Sequence, residues 1–542
     1  MASTTNESGS PTTCLDAVVI GAGFAGLYQL HALRDQLGLD VIAIEAGEGV
    51  GGTWYWNRYP GARCDSESFT YCYSFSRELQ EQWSWTERYP VQKEILAYLN
   101  HVADRFDLRK DIRFNSRVTT ATYDESNSSW LIETSGGQRL NAKFLIMAVG
   151  TLSTANFPNI PGLETFAGRW FHTSDWPEDE LDFSGQRVGL IGTGSSGIQT
   201  APIIAKQAEQ LTVFQRTPNY SLPAHNHKLS DDFQLEIRAN YEAIRDLARS
   251  TFHGHAFEES KISALDVDDE ERVRRYEFAW GKGGLRFLNA FSDLFYNVDA
   301  NQTASSFVRR KIAEVVHDPE TATALMPVDY PIGARRPTTD TGFYEMFNRE
   351  NVSLVDIRRS PIVEIIPTGV RTTDQVHSLD VIVLATGFDA LTGPLLAIDI
   401  RGRDGRSLRA DWQGGPITLL GLQTPGYPNL FIITGPGSPS VLANAPVAIE
   451  QHVDWITDCI LKLLKSGHAH IEATEKAADE WSVEMDRAAQ SSLLPLAPSS
   501  WYMGGNIPGK PSVVLPYAGG MLRYAQIAKQ VADENYRGFL MG

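Results

Sequence analysis

The chain has 542 residues, 42% hydrophobic and 21% charged, with a formal net charge of −18. That length holds about two to four domains, and the negative charge argues against nucleic acid and anionic membranes as partners. No apolar stretch is long enough to span a bilayer, and the four cysteines lack metal or redox spacing, so they read as free thiols in a reducing cytoplasm.

The first residues, Met1 to Thr13, are rich in Ser and Thr and lack an apolar core. They read as a disordered tail, not a signal peptide. The apolar run Ala17–Ile20 then leads into Gly21-Ala22-Gly23-Phe24-Ala25-Gly26. A G-x-G-x-x-G turn between a buried strand and a helix brings backbone N–H groups to a pyrophosphate at the positive end of the helix dipole. The next strand, Asp40–Ile44, ends at Glu45, 24 residues after Gly21. A carboxylate there accepts hydrogen bonds from free ribose hydroxyls, which suits FAD or NAD.

Further along, Phe144–Gly150 is an apolar strand closed by a glycine. A second loop, Gly192-Thr193-Gly194-Ser195-Ser196-Gly197, follows Val188–Ile191. The strand after it, Leu211–Gln215, ends at Arg216, again 24 residues after the first glycine, with Thr217 beside it. An arginine at this register pairs with a 2′-phosphate, so the second loop suits NADPH. Two such loops in equal context are a much stronger signal than one.

From about Asn226 to Met326 the chain is charged, with helical spacing over Glu236–Ser250 and Ser305–Val316, and reads as a helical insertion. Asn127-Ser128-Ser129 and Asn301-Gln302-Thr303 match a glycosylation acceptor by chance. Val381–Gly387 echoes Phe144–Gly150, Leu430–Ile433 is a strand, Gly435–Leu442 is an irregular Gly/Pro loop, and a helix runs from about Val447 to Lys465. The expected fold is α/β, with two Rossmann-like dinucleotide-binding units, the second inserted into the first. The expected division is an FAD unit over 1–152 and 387–542, an NADP unit over 153–225 and 331–386, and a helical insertion over 226–330.

Between the two units lies Phe166-Ala167-Gly168-Arg169-Trp170-Phe171-His172-Thr173-Ser174-Asp175-Trp176-Pro177. It resembles the F-x-G-x-x-x-H-x-x-x-W-P fingerprint of type I Baeyer–Villiger monooxygenases at Phe166, Gly168, His172, Trp176 and Pro177. A second signature of that family is matched from Gly51 to Asp65, including Gly52, Thr53 and Trp54. The likeness runs from about Asp16 to Phe539 and is greatest to the phenylacetone and steroid monooxygenase branch.

The resemblance implies a cycle in which NADPH reduces FAD and a C4a-peroxyflavin inserts one oxygen next to a ketone carbonyl, giving an ester or lactone. Two oxyanions arise in turn, and both need a cation that never titrates, a role for which arginine is better suited than lysine. By match to the family motif in Gly333–Pro337, Arg336 is that cation, Asp65 is its counter-charge, and Arg335 faces the NADP phosphate. The match also implies Trp54 and Tyr71 near the flavin, Trp501 near the nicotinamide cofactor, and His172 as a coupler of domain movement. Ser440, Val441 and Leu442 are candidates for the substrate pocket. The implied partners are a small-molecule ketone and O₂; whether the protein is a monomer or a dimer stays open.

Three rivals remain at this level. A flavin disulfide reductase needs a cysteine pair that the chain lacks. A flavin monooxygenase oxidising nitrogen or sulfur is nearer, although Trp176 and Arg336 argue against its N-hydroxylating form. A non-catalytic FAD/NADPH sensor would need no oxyanion cation.

Overall fold

The computed structural model describes residues 13–542. The predicted tail therefore lies outside the described residues except for Thr13, which opens the first strand. Six strands come from the first part of the chain: β1 (Thr13–Ile20), β2 (Val41–Ile44), β3 (Ile112–Arg113), β4 (Val118–Asp124), β5 (Ser129–Thr134) and β6 (Arg139–Met147). β6, β1, β2 and β3 are parallel neighbours, and β4 and β5 extend β6 as an antiparallel meander. The inner ends of β1 and β2 are buried on both faces, which is why they read as unbroken apolar runs. β4 instead alternates buried and accessible residues.

The second sheet is parallel throughout. In chain order its unit contributes β7 (Arg169–His172), β8 (Arg187–Ile191), β9 (Gln210–Gln215), β10 (Ser221–Pro223), β11 (Thr338–Asp340), β12 (Val352–Asp356), β13 (Ile362–Ile366), β14 (Gly369–Thr372), β15 (Val376–Ser378) and β16 (Val381–Leu384). The sheet order is β12-β9-β8-β16-β7, while β10 pairs with β11 and β13–β15 form a small antiparallel layer. The chain then returns to the first sheet. β17 (Asp399–Arg401) pairs with β4, and β18 (Leu430–Ile432) pairs with β6. The fold is thus α/β, with one dinucleotide-binding unit inserted in another.

The insertion is helical, though not quite as the spacing predicts. The expected helix over Glu236–Ser250 is two, Asp231–Ala239 and Tyr241–Ser250. Asn240 parts them by leaving helical geometry and donating its side-chain amide to the Glu236 carbonyl at 2.8 Å. The helix expected at Ser305 begins earlier, as Val298–Val315, because the Asn297 side chain caps the N–H groups of Asp299 and Ala300. Asn301 inside it is buried, and its amide donates to the carbonyls of Leu294 and Ile332, each at 2.7 Å. It is a structural anchor, and its match to a glycosylation tripeptide is indeed chance.

The two units are stitched at one helix. Gln199 of Ser195–Gln207 donates to the Arg63 carbonyl at 3.1 Å and accepts from the Tyr59 hydroxyl at 2.9 Å. Thr200 donates to the Pro60 carbonyl at 2.8 Å. The loop that this helix grips, 59–63, leads directly to Asp65.

Candidate active site

The two glycine loops have the same backbone design. Gly21 and Gly192 take φ of 108° and 109°, in the left-handed region that favours glycine. Each backs onto the chain end of its neighbouring strand, at Ala148 and Ala385. A Cβ on Gly26 would strike the Gly21 carbonyl oxygen, and one on Gly197 the Gly192 carbonyl oxygen. The middle glycines differ. Gly23 packs against Gly52, which draws the 51–54 segment onto the first loop, whereas a Cβ on Gly194 would meet open space. The first loop is largely buried; Gly194 and Ser195 are exposed.

Glu45 is buried, and its carboxylate accepts from the N–H groups of Ala22 and Gly47, both at 2.8 Å. It thereby braces the first loop, and each oxygen keeps lone-pair capacity for a ribose hydroxyl. Trp54 is buried and donates to the Tyr71 hydroxyl at 3.2 Å, and Tyr71 meets Phe24 edge-on at 5.2 Å. Thr53 is exposed at the start of its short helix.

At the second loop, Thr193 donates its hydroxyl to the Thr217 carbonyl at 3.2 Å, tying the loop to the strand tip that carries the exposed Arg216. Ser196 lies beside the Tyr59 hydroxyl. Arg335 sits over the Tyr330 ring at 4.8 Å and hydrogen-bonds Ser499, while its Nε is buried without a partner. Burial lowers the Arg335 pKa, and the like charge of Arg216 lowers it further. Two cations held close, one with an orphaned donor, fit a phosphate of NADP.

Arg336 makes a different set of contacts from Arg335. It donates from Nε to Asp65 Oδ2 at 2.6 Å, from Nη2 to Asp65 Oδ1 at 2.9 Å, and from Nη1 to the Val441 carbonyl at 2.8 Å. Burial opposes both charges, yet each outweighs it for the other: the Arg336 pKa stands above the usual guanidinium value and that of Asp65 below the usual carboxylate value. Both remain 21% exposed, so the pair is open to a cavity. That cavity, about 290 Å³, is walled by Arg336, Leu442 and Tyr502 on one side and by Phe252–Tyr296 of the helical insertion on the other.

The insertion thus forms part of the site and is more than a spacer. Its Asn301 also accepts from the Ile332 N–H at 3.1 Å, anchoring the segment that carries Arg335 and Arg336. Of the predicted pocket residues, Leu442 lines the cavity and Val441 gives its carbonyl to Arg336. Ser440 is buried behind them and donates to the Thr434 carbonyl at 3.1 Å. Trp501 packs on Tyr502 at 4.5 Å in the turn after Ser499.

The fingerprint residues stand apart from the cavity. β7 carries His172, which is buried between Ser174 Oγ at 2.6 Å and Thr386 Oγ1 at 3.2 Å. Phe166 and Trp176 are core residues, Gly168 abuts the Asp380 carbonyl, and Pro177 follows at a half-buried turn. Two cavity residues carry no sequence signal at all: His253 and His255, in an irregular turn without periodicity.

Two dinucleotide loops of unlike charge converging on a paired guanidinium define a flavoprotein oxidoreductase with a nicotinamide partner. The family described as pyridine nucleotide-disulphide oxidoreductase matches residues 18–271, although all four cysteines are free. Phenazine N-monooxygenase PhzNO1 of Lysobacter antibioticus is 44% identical over 98% of this chain and 97% of its own. The methyl acetate-forming acetone monooxygenase of Gordonia is 41% identical over 98% and 99%. The structure of oxidized steroid monooxygenase bound to NADP is 52% identical, covers 98% of this chain and 99% of its own, and superposes with a TM-score of 0.94. The chain belongs to the type I Baeyer–Villiger monooxygenases. It is accordingly an FAD-dependent monooxygenase that uses NADPH.

Among the described residues no helix is long and apolar enough to cross a membrane, and no cluster of side chains could hold a metal ion.

Proposed function

We propose that Arg336 stabilises the oxyanions formed as oxygen is inserted beside a ketone carbonyl, and that Asp65 holds it in place. The observation that supports this reading most directly is the two-point Asp65–Arg336 contact at the wall of a largely apolar cavity. Asp65 takes the Nε N–H and one N–H of Nη2, Val441 takes one N–H of Nη1, and the Tyr502 hydroxyl also bonds the guanidinium, which leaves donor capacity of a permanent cation for a substrate oxygen. When bound, FAD takes a hydride from NADPH and delivers one atom of O₂ to the substrate, the other leaving as water. Gly21, Gly23, Gly26, Glu45, Gly52, Thr53, Trp54 and Tyr71 would hold the flavin. The second loop, Gly192 to Gly197, with Arg216, Thr217, Arg335 and Trp501, would hold NADPH. Asp65 would serve both the flavin site and Arg336.

The substrate is a small-molecule ketone whose apolar part meets Phe252, Phe291, Leu294 and Phe295 around the cavity, and the product is an ester or lactone. We place the divisions between the units near residues 152, 225, 330 and 386, and the protein in the cytoplasm, where its free thiols persist. Incubating the FAD enzyme with NADPH, O₂ and a panel of linear, cyclic, aryl and steroid ketones tests this reading. A gain of one oxygen, seen by mass spectrometry, is expected for at least one ketone. NADPH oxidation without any oxygenated ketone would overturn it. A second reading, oxidation of an aromatic nitrogen, is favoured by the likeness to the phenazine enzyme; an N-oxide formed from phenazine faster than any ester would select it.

A further inference from the structure

The cavity is lined mainly by aromatic and aliphatic side chains, with Glu259, Ser260, Asn289, Ser292 and two histidines among the polar residues that the insertion adds to it. His253 hydrogen-bonds through Nδ1 to the Leu442 carbonyl at 2.8 Å. A carbonyl only accepts, so Nδ1 carries the proton, and Nε2 of the neutral ring is a bare acceptor. The turn is pinned there, because the Asn444 N–H donates to the His253 carbonyl at 2.8 Å.

His255 is 4% exposed, and its Nδ1 is buried without a partner. A buried orphan N–H is rarer in proteins than an orphan acceptor, so the proton belongs on Nε2, the nitrogen left to meet the cavity. The ring lies flat on Phe257, centroids 5.0 Å apart and planes 4° apart. Phe257 in turn contacts Arg286 at 4.4 Å, and Arg286 is fixed to buried Glu67 at 2.8 Å. The imidazole therefore has little freedom to swing away. Burial, with the nearby Arg336 charge, lowers the pKa of His253 to about 4 and that of His255 to about 3, so both rings stay neutral in ordinary buffers.

A donor and an acceptor, two residues apart, face one cavity. We propose that His253 and His255 form a hydroxyl-reading pair, His255 donating to and His253 accepting from an O–H on the substrate, so that the preferred substrate is a bulky hydroxylated ketone. A plain ketone satisfies neither Arg336's role nor this pair at once: its single carbonyl oxygen accepts only, and His253 Nε2 would be desolvated with nothing to receive.

This rests on the proposed ketone oxygenation, and a binding measurement separates the two. The FAD enzyme with NADP⁺ bound is titrated with benzylacetone and with its ortho, meta and para ring-hydroxylated isomers, following the flavin spectrum. At least one hydroxylated isomer is expected to bind about tenfold or more tighter than benzylacetone. His253→Phe and His255→Phe should each abolish that ratio. His253→Gln and His255→Gln, whose amides replace one ring nitrogen, should retain part of it. Equal binding of all four ketones to the wild type, or a ratio that survives both Phe variants, overturns the pair. So does its loss in the Gln variants, which would mark general disruption of the turn. Ester formation is scored separately: selective binding without ester would count against the oxygenation alone.

Discussion

Replacing Arg336 with Ala removes the one cavity cation that never titrates. Flavin reduction by NADPH should persist in stopped-flow traces while ester formation falls by about 10²–10³, the usual cost of one oxyanion-stabilising group; near wild-type ester yield would refute the role. Asp65→Ala should leave the guanidinium untethered, and NADPH is then expected to be consumed with ester yield lowered at least about tenfold. Arg216→Ala should raise KM for NADPH by about 10–100-fold, the worth of a charge-assisted hydrogen bond, and leave NADH kinetics unchanged; equal losses with both would end its phosphate assignment. Arg216 was legible because it sits at a strand tip 24 residues past a glycine, whereas Arg336 and Asp65 were legible only through resemblance to a family motif. His253, His255 and Asn301 were not, because an irregular turn has no period and a buried asparagine looks like any other in sequence.

At the level of elements, the glycine loops separate two kinds of requirement. Gly197→Ala places a Cβ against the Gly192 carbonyl oxygen, and it should cost NADPH binding together with the packing of its helix, lowering Tm. Gly194→Ala meets no protein atom within contact. It should leave Tm and flavin content unchanged yet weaken NADPH binding, and a Tm drop equal to that of the Gly197 variant would contradict this. The central parallel strands of both sheets could be read from apolar runs, because strands covered on both faces have no polar side; the edge strands and the β4–β5 meander gave no such run. The insertion's helices were read in outline only. Their ends depend on caps such as Asn297 and on the break at Asn240, which are local hydrogen bonds without a hydrophobic signature.

For the whole molecule, buried neutral histidines set the acid limit. His452 accepts the Thr434 N–H at 2.9 Å from full burial, which lowers its pKa to about 3, alongside His253 at about 4 and His255 at about 3. Below about pH 6.5 the unfolded chain binds protons that the native rings refuse. The stability contributed by these depressed values is present above pH 6.5 and is lost as pH falls towards 3–4. Tm should decline steadily between pH 6.5 and pH 4, more shallowly in His452→Gln, whose side-chain oxygen can still accept from Thr434; an unchanged slope would remove His452 from the account. The insertion of one unit in the other was visible from the order of two matching loops and two matching strands. The grip of Gln199 on Tyr59 and Arg63 was not, because it joins residues 136 and 140 positions apart.

Arg335 and Arg336 are consecutive, yet one lies over Tyr330 within reach of the Arg216 charge and the other lines the cavity. Under the proposed roles, a single peptide link would tie cofactor recognition to the reacting end of the substrate, so that neither arginine could drift without displacing its neighbour. The opposite lining comes from Phe252–Tyr296 of the insertion, held in place through His253 to Leu442 and through Arg286 to Glu67. If the proposed site is right, substitutions in that stretch would reshape the cavity without touching the Asp65–Arg336 pair.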